Sequence, residues 1–261
     1  MTRRLFLALA LSLAAAPSAM AQDPVDPSLA GEELPSIDHL LTGLETNLNF
    51  DTRSARIRMT VVNPRRTKVY EIFSYGRGLD ESTMEFLEPA RERGTRYLRR
   101  GDEMWMYLPS IERTQKISGH MLRQGMAGSD MSYEDMTSST DWAEIYDGEI
   151  TAKEDVDGRP HWRVELTAKT DDVTYAKRVL WIDAETLIPS KQELYAISGM
   201  LVKRWMMSNV QELGDGRSYP MTMRIEDTLR DGTYTEIETT EIELGIELEE
   251  EVFSLRWLER G

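Results

Sequence analysis

The sequence predicts a mostly β protein: one large antiparallel sheet, curved or barrel-like, with few helices. Three observations predict it. From residue 53 onward apolar side chains recur at every second position, as in Ile57, Met59 and Val61 against Arg56, Arg58 and Thr60, or Trp162, Val164, Leu166 and Ala168 against Arg163, Glu165 and Thr167. Runs of this kind follow one another at short spacing. Asp157-Gly158, Asp215-Gly216 and Asp231-Gly232 supply turn signals between several of them.

In chain order, the N-terminus reads as a targeting segment. Arg3 and Arg4 precede the apolar run Leu5 to Ala16, and Ala19-Met20-Ala21 has the form of a cleavage site, so residues 1–21 are expected to be a secretory signal peptide. The run is too short for the roughly 20 apolar residues a membrane span needs. Residues 22–35, rich in Pro and acids, are expected to be a flexible leader. Ile37, Leu40, Leu41, Leu44 and Leu48 then lie at helical spacing behind Ser36, a suitable N-cap, which predicts an amphipathic helix over 36–48. Strand-like runs follow at 53–61, 68–75, 82–87, 95–100, 103–108, 113–118, 162–168, 175–182, 192–197, 202–207, 221–229 and 233–244. Residues 119–146, rich in Met, Ser and Asp, break the alternation and read as an ordered excursion lying across the sheet. No composition shift marks a second domain, so residues 36–261 are expected to form a single unit.

Composition excludes several functions. With 31 Lys and Arg against 46 Asp and Glu, the formal charge is −15, which disfavours nucleic acid and anionic lipid surfaces. There is no cysteine, hence neither a disulfide nor a lipid-modified cysteine at the cleavage point, and a non-anchored periplasmic protein is the economical reading. The three histidines, His39, His120 and His161, have no metal-ligand spacing, so neither a metal nor another cofactor is expected. Asp155-Val156-Asp157-Gly158 lacks the closing Glu of a calcium loop and reads as a hairpin turn. No nucleophile elbow, phosphate loop or dinucleotide fingerprint occurs; a pair of glycosidase-type carboxylates is the enzymatic alternative left open.

Methionine stands out. Of 15 in the chain, 11 fall at 104, 106, 121, 126, 131 and 136 and at 200, 206, 207, 221 and 223. An unbranched, polarizable side chain suits a surface that adapts to cargo of variable shape, although Met also serves as core filler. On the strand at 103–108, Met104, Met106 and Leu108 point one way and Trp105 and Tyr107 the other, so both faces are apolar and a helix, the 119–146 excursion or a ligand must cover the second. The candidate apolar binding residues are therefore Met104, Trp105, Met106 and Leu108 with Trp205, Met206, Met221 and Met223.

These residues also carry a resemblance. Gly101-Asp102-Glu103-Met104-Trp105-Met106-Tyr107-Leu108-Pro109-Ser110, followed by Arg113, Ile117-Ser118-Gly119, Gly128-Ser129-Asp130 and Ser132-Tyr133-Glu134-Asp135, resembles the LolA-like outer membrane lipoprotein-sorting protein family over most of the chain. The resemblance implies an incompletely closed antiparallel β-barrel whose concave face, capped by helices and loops, holds acyl chains. It implies no catalysis, lipid or lipoprotein acyl chains as cargo, and an inner-membrane transporter as a partner that could hand the cargo over. A non-catalytic sensor or accessory protein binding a protein partner is the alternative within the same fold.

Overall fold

The computed structural model describes residues 26–137 and 142–260. The expected signal peptide lies outside them. Among the described residues thirteen strands form one antiparallel sheet, built as two meanders. The first comprises β1 (Arg53–Asn63), β2 (Arg66–Arg77), β3 (Glu81–Glu88), β4 (Arg96–Arg100), β5 (Glu103–Leu108) and β6 (Arg113–Ile117). The second comprises β7 (Tyr146–Val156), β8 (Arg159–Ala168), β9 (Lys177–Asp183), β10 (Pro189–Tyr195), β11 (Leu201–Glu212), β12 (Ser218–Asp227) and β13 (Tyr234–Leu244).

The spatial order is β6-β5-β4-β3-β2-β1-β13-β12-β11-β10-β9-β8-β7. A single long-range seam therefore joins the halves, where β1 pairs β13 from Arg53↔Leu244 to Val62↔Tyr234. The two edges, β6 and β7, do not pair with each other, so the barrel stays open, as expected. Between them the chain crosses through the excursion, which carries short 3₁₀ turns at Gly119–Arg123 and Met126–Gly128 and two short helices, α2 (Tyr133–Thr137) and α3 (Trp142–Ile145).

The amphipathic helix expected at the start is α1 (Ile37–Leu48), and Ser36 caps it, its Oγ accepting the His39 N–H at 3.0 Å. Leu40 and Leu41 bury against Trp162, Val164, Leu166 and Leu180 on β8 and β9. Burying each such side chain stabilises by about 1.5–3 kcal/mol, which fixes the helix over that half of the sheet. Glycine permits the approach: a Cβ on Gly148 of β7 would stand 2.8 Å from the Ile37 side chain.

Part of the expected leader, residues 26–35, is described and is not free of the domain. Pro27–Leu29 forms a 3₁₀ turn, Leu29 is buried in the α1 cluster, and Ser28 Oγ accepts the Lys153 N–H at 2.9 Å. An edge strand leaves backbone donors unpaired, and this segment of the supposed flexible leader satisfies one of them on β7.

The strand at 103–108 has its two apolar faces explained. Met104, Met106 and Leu108 pack with Tyr97, Tyr133, Met121 and Met126, so the excursion covers that face. Trp105 and Tyr107 pack on the other side with Phe253, Leu258 and Val252, contributed by the C-terminal turn at Glu250–Phe253 and by α4 (Leu255–Arg260).

Candidate functional site

A cavity of about 360 Å³ lies between the concave face of the sheet and its covers. Its floor crosses the seam: Ile57 and Met59 of β1, Ile72 of β2 and Met84 of β3 meet Ile237 of β13, Met223 of β12 and Trp205 and Met207 of β11. Alternation puts these residues on one face, since each pair is two residues apart on its strand. The roof combines Leu44 and Leu48 of α1 with Met126, Met131 and Met136 of the excursion, and Trp142 of α3 closes one side. The volume falls within the range of about 300–1,000 Å³ usual for ligand pockets.

The roof is pinned by polar contacts. The Tyr70 hydroxyl donates to the Ala127 carbonyl at 3.0 Å. Asp130, buried, accepts from Thr235 Oγ1 at 2.7 Å and from the Arg230 guanidinium at 2.6 Å. Ser132 and Asp135 cap α2 reciprocally: Asp135 Oδ2 accepts the Ser132 N–H at 2.8 Å and Ser132 Oγ accepts the Asp135 N–H at 3.2 Å. Asp135 also pairs with Lys203 and accepts from the Tyr175 hydroxyl at 2.6 Å. Burial and the Asp135 carboxylate push the Tyr175 hydroxyl well above its ordinary range, so it stays a donor.

One end of the cavity is polar. Arg178 of β9 and Tyr175 line both the cavity and an outer groove of about 710 Å³ whose wall includes Arg123, Lys203, Glu134, Asp171 and Asp172. Arg178 is only 9% exposed. Its Nε donates to the Tyr146 hydroxyl at 3.0 Å and its guanidinium carbon lies 4.9 Å from the Trp142 ring centre, 5.2 Å from Tyr175 and 5.4 Å from Tyr146. Among the described residues it makes no ion pair. Two further donors on the cavity wall, Gln192 Nε2 and Trp205 Nε1, are buried and have no hydrogen-bond partner among the described residues.

Of the binding residues named from sequence, Trp205 and Met223 stand on the cavity wall. Met104 and Met106 lie in the packed cluster beneath the excursion, with Leu108 at its margin, and Trp105 is on the outer face under the C-terminal segment. Met206 stands between Lys191 and Arg224 in the strand register, on the face opposite Trp205 and Met207. Met221 is buried away from the cavity wall. The motif residues fall in two places. Gly101 takes positive φ of 57° in the β4–β5 turn beside exposed Asp102; Tyr107 is on the outer face, Pro109 and exposed Arg113 flank the β5–β6 turn, and exposed Ser118 precedes the first 3₁₀ turn. Gly128, Ser129, Asp130, Tyr133 and Asp135 all belong to the roof.

Sequence reasoning missed Met59, Met84, Met207, Gln192 and Arg178. In Trp205-Met206-Met207 three apolar neighbours succeed one another, so alternation does not tell which face is which; only pairing across to β12 does. For Arg178 the available signal was a cation inside a run that is otherwise buried, Val179 to Asp183.

A family model with the description "-like: Uncharacterized protein" matches residues 78–260. No curated protein matches. Among solved structures, a domain of Vibrio parahaemolyticus assigned as an outer membrane lipoprotein-sorting protein shares 23% identity with a TM-score of 0.75, covering 84% of this chain and 98% of its own. A DUF1329 family protein from Desulfovibrio piger shares 24% identity with a TM-score of 0.77, over 84% of this chain and 96% of its own. A LolA superfamily protein from Nitrosomonas europaea shares 24% identity with a TM-score of 0.69, over 86% of this chain and 100% of its own. These likenesses bear out the resemblance carried by the 101–135 motifs: the chain belongs to the family that this model describes, and its fold is that of the LolA-like outer membrane lipoprotein-sorting proteins.

Proposed function

We propose that the protein is a periplasmic, non-catalytic carrier that holds an acyl chain in the cavity between sheet and roof and shuttles it toward the outer membrane. The observation that carries this reading is the cavity itself, lined mainly by Met, aliphatic and aromatic side chains, with polar groups at the Arg178 end and at Gln192 and Thr239. If a methylene fills about the 30 Å³ of a liquid water molecule, the cavity takes about a dozen methylenes, one acyl chain. At about 0.8 kcal/mol per CH₂, the gross gain is about 10 kcal/mol, of the same order as the costs of association that it must offset. Methionine on both floor and roof lets the walls repack around chains of different length. The lipoprotein-sorting assignment of the Vibrio domain agrees with this reading, and no helix among the described residues is long and apolar enough to cross a membrane.

The test is displacement of a fluorescent fatty acid. Met207→Asp together with Met223→Asp should lower affinity at least tenfold with the fold retained, because each carboxylate sits in a space that already exists and has no partner when hydrocarbon enters. Met106→Asp, in the packed cluster, should instead unfold the protein. Undiminished binding by the cavity double variant would overturn the assignment.

A further inference from the structure

The inner wall changes polarity in steps along the strands. Across β9, β10 and β11 the register aligns Arg178 with Leu194 and Leu194 with Lys203; two residues further, Leu180 with Gln192 and Gln192 with Trp205; beyond these, Met207 of β11 aligns with Met223 of β12. A cation row, a row of unpaired N–H donors and an apolar row thus succeed one another. Each step is two residues, about 7 Å.

We propose that this wall is a binding subsite for a glycerophospholipid, with the phosphodiester at Arg178, an ester carbonyl at Gln192 and Trp205, and the acyl chain among Met207, Met223 and the roof. The proposal rests on the carrier reading and specifies its cargo. Lys203 is already neutralised by Asp135, whereas Arg178, nine-tenths buried, faces aromatic rings and a tyrosine hydroxyl and has no carboxylate partner among the described residues. A buried cation of that kind gains from an anion arriving through the outer groove. Gln192 Nε2 and Trp205 Nε1 are fully buried donors without acceptors, and an unpaired buried donor is costly, so a ligand carbonyl oxygen that these side chains turn to meet recovers that loss. Asp171 and Asp172 on the groove wall offset the cation Arg123 of the same wall and so oppose more than one negative charge, which favours a phosphodiester over a polyanionic headgroup.

Three single-chain probes separate the contributions: lauroyl lysophosphatidylglycerol, carrying phosphodiester and ester; 1-monolauroylglycerol, carrying the ester alone; and dodecanol, carrying neither. Calorimetric titration of the wild type should rank them in that order. Arg178→Gln should collapse the preference for the lysophospholipid over monolauroylglycerol by about tenfold, one charge-assisted hydrogen bond, and Arg178→Lys should restore part of it. Gln192→Leu should reduce the preference for monolauroylglycerol over dodecanol. A lysophospholipid preference that survives Arg178→Gln would overturn the subsite, as would lauric acid binding as tightly as the lysophospholipid. If none of the probes binds, the carrier reading itself fails.

Discussion

Asp183 shows how one carboxylate fastens two strands and a turn. It accepts from Arg159 Nε of β8 at 2.5 Å, from the backbone N–H groups of Glu185 at 3.0 Å and Thr186 at 2.8 Å, and so closes the β9–β10 connection beneath α1, whose Asn47 amide donates to the Thr186 carbonyl at 2.8 Å. Burial alone would raise its pKa, but the Arg159 guanidinium and the two N–H donors outweigh it and hold it down from 3.8 to about 2. A depressed carboxylate contributes stability that is complete above the unfolded value and is lost as pH falls through the folded one; Asp183 is therefore expected to contribute about 2 kcal/mol above pH 4, lost progressively toward pH 2. Urea unfolding from pH 7 to pH 2 should show that loss in the wild type and a shallower one in Asp183→Asn, already destabilised at pH 7. Equal slopes would remove Asp183 from the account. Residue roles of this sort were poorly legible in sequence. Asp130 and Asp135 were recognisable as motif members, yet their work as anchors of the roof needs partners 105 and 68 residues away.

At the scale of elements, alternation located most strands and the Ser36 helix because one buried face imposes a period of two on a strand and a stripe on a helix. The Asp157-Gly158 turn was legible for the same local reason: both residues take positive φ, 53° and 79°, as the two-residue loop joining Val156 to Arg159 requires. Strand β7 was not singled out, since it is an edge with mostly half-buried or exposed positions, and the docking of Pro27–Leu29 onto it was equally hidden. The roof depends on a close backbone approach at Gly125, where an added Cβ would stand 1.9 Å from the Ser129 carbonyl oxygen. Gly125→Ala should therefore destabilise by about 1–3 kcal/mol and act locally. Hydrogen exchange should quicken in residues 119–137 while the β1–β13 seam stays protected, and fatty-acid affinity should fall. Unchanged protection of the roof would contradict its dependence on this loop.

For the whole molecule, the open sheet follows from topology. Two meanders share one seam, their outer edges stay apart, and the segment that connects those edges must cross the concave face, which makes it the roof. The 119–146 excursion was legible as an interruption, and its motifs carried the resemblance; that it encloses a cavity together with α1 was not, because enclosure depends on how strongly the sheet curves. The central claim is that this enclosed space is an acyl-chain site. Its most direct test is mass spectrometry of organic extracts from protein purified without detergent from its native host, beside the Met207→Asp, Met223→Asp double variant. The account predicts phospholipid at near-stoichiometric amount from the wild type and little from the variant; extracts free of lipid, or equal amounts from both, would contradict it.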